Sequence, residues 1–265
     1  MITCSHRLEA LAIPGVPLVE RGDDLPALVA KALSLDGISL VDGDVLVVTS
    51  KLLSRAEGRF VELPRVEPSA RAVDLAREVG KDARAVELIL RESVAVSRKA
   101  KGVLVVRHRL GFVVANAGID ASNARPADAA PGSGPWVLLL PEAPDASAAA
   151  IRARVEAASG ARIGVVVTDS FGRPFRVGTV GVAIGVSGLP PLWDRRGEAD
   201  LFGRALENTV TALADQVAAV ADLVAGQAAE RRPLVLVRGL GFTASDASEQ
   251  GAGTLIRPAE EDLYA

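Results

Sequence analysis

The sequence predicts an α/β fold, mixed with α+β character, and three observations predict it. Short β-branched runs alternate along the chain with segments of helical spacing. Several of those apolar runs end in small polar residues, and one late stretch alternates Val180, Val182, Ile184 and Val186 with glycines.

In chain order, Leu8 to Ile13 reads as a strand stopped by Pro14 and Gly15. Asp23 and Asp24 supply N-cap chemistry for a helix through about Leu35. Asp42-Gly43-Asp44 is a turn before the buried-strand candidate Val45 to Val48, which ends in Thr49-Ser50-Lys51. Residues 69 to 79 and 82 to 93 have helical spacing, the second with Asp82 as N-cap. Val103 to Val106 and Phe112 to Ala115 read as paired strands with His108-Arg109-Leu110-Gly111 as their turn. Residues 124 to 135, rich in Pro, Ala and Gly, read as a surface loop. A strand at Trp136 to Leu140 and a helix from about Ala146 to Ala158 lead into GVVVTDS at 164 to 170.

The glycines at 178, 181, 185 and 188 suggest a strand that something approaches closely. Leu206, Val210, Leu213, Val217, Val220 and Val224 then recur at steps of four and three, predicting one long core-packed helix that ends near Gly226. Its second face, with Asn208, Thr211, Asp215 and Asp222, reads as solvated or intersubunit surface. Leu234 to Val237 is a last buried strand.

Composition excludes several classes of function. Lys and Arg number 30 against 33 Asp and Glu, a net charge of -3, so a surface that tracks nucleic-acid phosphates is not indicated. Cys4 is the only cysteine, which rules out an internal disulfide and a cysteine-based zinc site and points to a reducing, cytoplasmic setting. No segment has the uninterrupted apolar length, about 18 residues, of a membrane span, and the N-terminus has no targeting pattern. There is no G-x-x-x-x-G-K-[ST] phosphate loop. The run Gly239-Leu240-Gly241-Phe242-Thr243-Ala244 imitates a dinucleotide fingerprint without room for the βαβ half that must follow. His6 and His108, the two histidines, support no Ser-His-Asp arrangement, and His108 reads as a surface or hydrogen-bonded turn residue.

VLVVTSK at 45 to 51, GFVVANAGIDASN at 111 to 123 and GVVVTDS at 164 to 170 share one grammar, an apolar strand delivering small polar groups to its carboxyl end. Ligand crevices in α/β sheets form at such ends. Asp120 and Asp169 are the natural ligands there for a hard divalent cation such as magnesium or manganese, with Ser170 and Asn123 as further metal or phosphate contacts. The structural alternative for each carboxylate is an Asx-turn at Asp120 and a helix cap at Asp169. Arg173 and Arg176, two forked cations nearby, add what a metal-bound polyphosphate needs.

Taken together, VVTSKLLSRAEGR, GFVVANAGIDASNA, GVVVTDSFGRPFRVGTVGVAIGVSG and VAGQAAE resemble the coenzyme F-420-0:L-glutamate ligase family, from PGVPLVERGDDL near the start to TLIRPAEEDLY near the end. The resemblance implies a two-lobed fold with mixed sheets, forming an intertwined homodimer, and one ligase domain over 1-265. It also implies that the C-terminal nitroreductase-like domain of the actinobacterial two-domain version is absent. The implied activity is GTP-dependent addition of L-glutamate to the deazaflavin coenzyme F-420-0, with a divalent metal, manganese or magnesium, and potassium as a further candidate ion.

By the same resemblance, Asp120, Asp169, Ser170 and Gln227 would hold metal. Val16, Pro17, Leu18, Val19, Ser50, Arg55, Asn123, Gly226 and Gln227 would contact nucleotide. Relatives commonly carry Lys at the position of Arg55, which alters the geometry of a phosphate contact there. Asp120, Asp169, Arg173 and Arg176 are the expected catalytic set. The competing expectations are a metal-dependent nucleotide phosphohydrolase and a nucleotide-binding module without turnover.

Overall fold

The computed structural model describes residues 2–242 and 250–262. Thr243 and Ala244 of the GLGFTA run, and Leu263 and Tyr264 of the tail motif, lie outside the described residues, as do the side chains of Cys4 and His6. The first part of the chain forms β1 (Thr3–Ala12), α1 (Leu25–Leu35), β2 (Val45–Thr49), α2 (Ser50–Ala56) and β3 (Phe60–Glu62). The middle forms α3 (Ala70–Val79), α4 (Ala83–Arg91), β4 (Ser93–Ala100), β5 (Val103–His108), β6 (Val113–Ala115) and β7 (Trp136–Leu138). Then come α5 (Pro144–Ser159), β8 (Gly164–Arg173), β9 (Arg176–Ser187), β10 (Trp193–Asp194), β11 (Val210–Thr211), α6 (Leu213–Ala225) and β12 (Leu234–Gly241). This is an α/β fold, and no helix among the described residues is long and apolar enough to cross a membrane.

One lobe is built on a five-stranded mixed sheet in the order β1-β12-β2-β8-β9, in which only β2 and β8 run parallel. Helices cover both faces. Leu46, Val48, Val165 and Val167 pack under α1 and α5 with Val29, Ile151 and Val155, while Val45, Val47, Val166, Val235 and Val237 pack under α6 with Val217 and Ala218. A sheet covered on both faces buries alternate side chains in opposite directions, so every residue of Val45 to Val48 is apolar. Parallel pairing of β2 with β8 requires a long crossover, and that crossover holds the second lobe. There α3 and α4 pack on the antiparallel β4-β5-β6 sheet through Ala72, Val79, Val86, Ile89, Leu104 and Val106.

The expected caps form. Asp24 accepts from Ala27 N at 3.0 Å and Asp82 from Arg84 N at 2.8 Å, each satisfying a free N–H of the first turn. The close approach predicted for the glycine-punctuated strand is helix backbone. A Cβ on Gly181 would stand 2.5 Å from the carbonyl oxygen of Ala218 in α6, and one on Gly185 would stand 2.6 Å from the backbone of Pro144 in α5.

Two expectations are corrected, and of the two readings of His108 the hydrogen-bonded one holds. The helix expected from Leu206 starts only at Leu213, because loop hydrogen bonds hold the preceding backbone: Leu206 N donates to Glu198 O, Gly197 N to Leu206 O and Arg195 N to Thr209 O. Asp215 is not a solvated residue; its carboxylate accepts from Ala183 N at 2.8 Å and so satisfies a donor on the outer strand of the sheet. His108 closes β5 and is 0% exposed, stacked on Phe112, with Nδ1 accepting from Leu110 N at 3.1 Å.

His108 belongs to a charge cluster between the lobes. The buried Glu92 carboxylate accepts from Arg59 at 2.8 Å and Arg109 at 3.0 Å, and His108 Nε2 stands 3.6 Å away. Arg59 also donates to Leu140 O, and Arg109 to Pro141 O and Glu142 O, tying the segment that enters α5 to the end of α4. Burial alone would raise the Glu92 pKa, but the nearby His108 imidazole and the bonds from the two guanidinium groups outweigh that and hold it down at about 2.

Candidate functional site

The site lies where two parallel strands part. Thr49 and Thr168 are the last residues that β2 and β8 pair; beyond them β2 turns into α2, while β8 continues with only β9 beside it. Asp169 is the first β8 residue past the fork. Its side chain lies on the α1/α5 face, between Val167 and Phe171, and accepts a hydrogen bond from Ser50 at the start of α2. The carboxyl-end grammar holds for β2 and is modified for β8, whose strand runs on to Arg173.

Asp120 reaches the same place from the other lobe. Asn116 and Ala117 have positive φ, of 51° and 54°, and turn the chain after β6; Asp120 then bridges to Leu138, with Asp120 N donating at 3.0 Å and accepting at 2.8 Å through its carbonyl. Its Oδ1 accepts from Ser122 N at 2.6 Å, the expected Asx-turn, and its Oδ2 meets Lys51 Nζ at 2.7 Å. Lys51 Nζ also donates to Ser122 Oγ at 3.1 Å.

The two carboxylates are driven apart. Burial raises the Asp169 pKa to about 6, opposed by hydrogen bonds from Ser170 N and Ser50 and reinforced by the negative charge of Asp120. Asp120 is also penalised by burial, yet its bonds to Lys51 and Ser122 prevail and its pKa is lowered. Two coupled carboxylates offset by one ammonium leave net negative charge amid serine oxygens, a hard-oxygen donor set that fits magnesium or manganese. No group of three or more His, Cys, Asp or Glu side chains converges among the described residues, so such an ion would complete its shell with hydroxyl, water or phosphate oxygens.

Arg55, one turn along α2 from Lys51, is 4% exposed and fully engaged. Its Nε donates to Val19 O at 2.6 Å and its Nη1 to Asn123 O at 2.9 Å, and Nη2 pairs with Glu20, while Phe60 lies 4.9 Å below the guanidinium. Arg55 thus joins the segment of Val16, Pro17, Leu18 and Val19 to the loop of Asn123, which sits at φ 52°, a conformation asparagine tolerates. Val19 is buried, whereas Pro17 and Leu18 are exposed.

Ser170 faces the opposite side of the ribbon from Asp169, and its hydroxyl donates to Gln227 Oε1 at 2.9 Å. Gln227 in turn donates to Asp222, and Gly226 ends α6 at φ 76°. Arg173 and Arg176 face each other across the hairpin tip, about 13 Å along the strand from Asp169 by the rise of extended chain. The structure therefore gathers Asp120, Asp169 and Ser50 on one face, and Ser170 with Gln227 on the other. Lys51, Ser122 and Glu20 complete the site. Lys51 stands within the quoted VVTSK, but its reach to Asp120 depends on a contact 69 residues away in sequence.

A cavity of about 900 Å³ opens beside the same ribbon, walled in part by Phe112, Phe171, Val182, Ile184, Leu255 and Ile256 and also lined by Arg107 and Arg257. Val182 is the cross-strand partner of Asp169.

Residues 15–239 match the model of the F420-0:Gamma-glutamyl ligase family. The chain is 44% identical over 259 residues to the coenzyme F420:L-glutamate ligase of Methanothermobacter thermautotrophicus, covering 97% of this chain and 98% of that protein. It is 46% identical over 236 residues to the enzyme of the same name from Methanopyrus kandleri, covering 88% of each. Against that of Natronomonas pharaonis it is 42% identical over 262 residues, covering 97% of this chain and 94% of the relative. The class is thereby fixed as a ligase that forms carbon–nitrogen bonds. Within that class, the chain belongs to the F420-0:gamma-glutamyl ligase family.

Proposed function

We propose that this chain uses GTP and a divalent metal to join L-glutamate to coenzyme F-420-0 through an amide bond, releasing GDP and phosphate. The family match and the names of its relatives support the reaction. The observation that carries the site is the meeting of Asp120 and Asp169 at the β2/β8 fork, beside a cavity large enough for the acceptor.

In this reading a carboxylate oxygen of the precursor attacks the γ-phosphorus, and the bond to the GDP oxygen breaks. The glutamate nitrogen then attacks the acyl carbon, phosphate leaves, and the nitrogen loses a proton. Asp120 and Asp169 would hold magnesium or manganese, whose charge offsets that of the transferring phosphate, and Ser170 with Gln227 would hold a separate ion on the far side of the ribbon. Potassium remains a candidate second ion. Val16 to Val19, Ser50, Asn123 and Gly226 would line the nucleotide, with Arg55 holding their two segments in register. The apolar and aromatic walls of the cavity suit the flat deazaflavin, while its charged lining is mixed, with Arg107 and Arg257 beside Glu142, Asp145, Asp215 and Asp262. Arg173 and Arg176 would meet phosphate or the anionic tail of the coenzyme from the hairpin tip. We also propose that the chain acts as a single two-lobed domain, in a cytoplasmic homodimer.

The test is to incubate the protein with coenzyme F-420-0, glutamate, GTP and manganese and weigh the coenzyme by mass spectrometry. Added glutamyl residues are expected. No mass shift under varied nucleotide and metal overturns the reading, and phosphate release without glutamate or coenzyme would point to a hydrolase instead.

A further inference from the structure

Helix α2 carries two cations toward the fork, and they are held in different ways. Arg55 is buried and bound by main-chain oxygens of two segments. The Lys51 side chain is 34% exposed, and among the described residues its ammonium bonds groups of the site itself: Asp120 Oδ2 at 2.7 Å, Ser122 Oγ at 3.1 Å and Ser122 O at 3.4 Å. An ammonium is a compact point charge on a flexible four-carbon stem, with three donors that re-aim at little cost. A guanidinium locked by four acceptors lacks that freedom.

We infer that Lys51 is a resident countercation of the fork, which yields Asp120 to an arriving divalent ion and then donates to a phosphate oxygen of the nucleotide that accompanies it. The inference rests on the reading of Asp120 as a metal ligand and goes beyond it by giving Lys51 two successive partners. While Lys51 pairs with Asp120, it neutralises part of the charge a metal would otherwise meet and competes for the same oxygen. Once displaced, it stands one residue from Ser50 with all three donors free. The two roles have opposite signs. Without Lys51, metal should bind more tightly in the absence of nucleotide, and nucleotide should bind more weakly in the presence of metal.

The experiment measures free Mn2+ by electron paramagnetic resonance during titration of the wild type, Lys51→Met, Lys51→Arg and Asp120→Asn, all without nucleotide. A fluorescent GTP analogue is then titrated at saturating Mn2+. Lys51→Met is expected to bind Mn2+ about threefold to tenfold more tightly and the analogue about tenfold more weakly. Lys51→Arg, which keeps the charge, should bind Mn2+ no more tightly than the wild type, which separates competition from any change in folding. Unchanged or weaker Mn2+ binding by Lys51→Met overturns the inference, as does wild-type affinity for the analogue. Should the wild type bind Mn2+ and Asp120→Asn lose it while Lys51→Met is unaltered, the Lys51 inference alone falls. Should the wild type bind no more Mn2+ than Asp120→Asn does, the metal reading falls with it.

Discussion

Arg55 donates from Nε to the main-chain oxygen of Val19 at 2.6 Å, across 36 residues of sequence, and from the other branch of the same guanidinium to Asn123. A lysine at 55 has one nitrogen for what Arg55 does with three. Arg55→Lys is therefore expected to lower stability by about 2 kcal/mol, and Arg55→Met by about 3 kcal/mol, because buried carbonyls and Glu20 lose their donor. Urea unfolding measures both, and a loss below about 0.5 kcal/mol for either would show that the two segments hold together without Arg55.

Asp169 has a pKa raised to about 6 against an ordinary 3.8. The folded state then binds this proton more tightly than the unfolded one, so ionised Asp169 weakens the metal-free fold above pH 6. That cost disappears as pH falls from about 6 toward 3.8. Asp169→Asn should stabilise metal-free protein at pH 7 by about 2 kcal/mol and remove this part of the pH profile. The same variant should lose glutamyl transfer about a thousandfold or more. Stability and turnover that both match the wild type would sink the assignment.

Glu92 is the mirror case. Its pKa is held at about 2 against an ordinary 4.5, so the stability it contributes is complete above 4.5 and drains away as pH falls toward 2. Glu92→Gln leaves Arg59 and Arg109 facing a neutral amide, and is expected to cost about 3 kcal/mol at pH 7 while flattening the acid limb of the unfolding curve. An unchanged acid midpoint in the variant would refute the role given to this cluster.

Gly181 and Gly185 let helix backbones rest on β9. Alanine at either position meets main chain rather than a yielding side-chain tip, and each substitution should cost about 2 kcal/mol or more in thermal unfolding. Alanine at Gly172, where nothing lies within 4 Å of the added Cβ, serves as the neutral comparison.

The buried strands were legible because their β-branched runs had no alternative reading, and the glycines of β9 announced a close neighbour before the neighbour was known. Helix α2 was not legible. It is seven residues long, its N-cap Thr49 makes no side-chain cap bond, and it follows a strand without a turn signal. The stripe from Leu206 misled for a different reason. Asp194 accepts from Arg196 N, and Asp200 from Phe202 N and Arg204 N, so local side-chain bonds favour turns over helix in the segment before Leu206. At the site, Asp120 and Asp169 stood out as carboxylates after apolar strands. The separate faces of Asp169 and Ser170 depend on how far β8 continues, and the partners of Lys51 and Arg55 depend on contacts distant in sequence.

The parting of β2 and β8 after Thr49 and Thr168 also sets which changes of chain length the protein tolerates. Upstream, within Val165 to Val167, one inserted residue would rotate every later side chain of β8 to the other face, presenting Thr168 where Asp169 belongs and turning the Asp169 carboxylate to the α6 side. Beyond Ser170 the ribbon ends in an exposed turn, with Phe175 92% exposed, where residues can be added in pairs without altering what lies at the fork. Loop grafts at this tip would therefore leave the fork in phase while moving Arg173 and Arg176, which separates the contribution of the two guanidinium groups from that of the carboxylates.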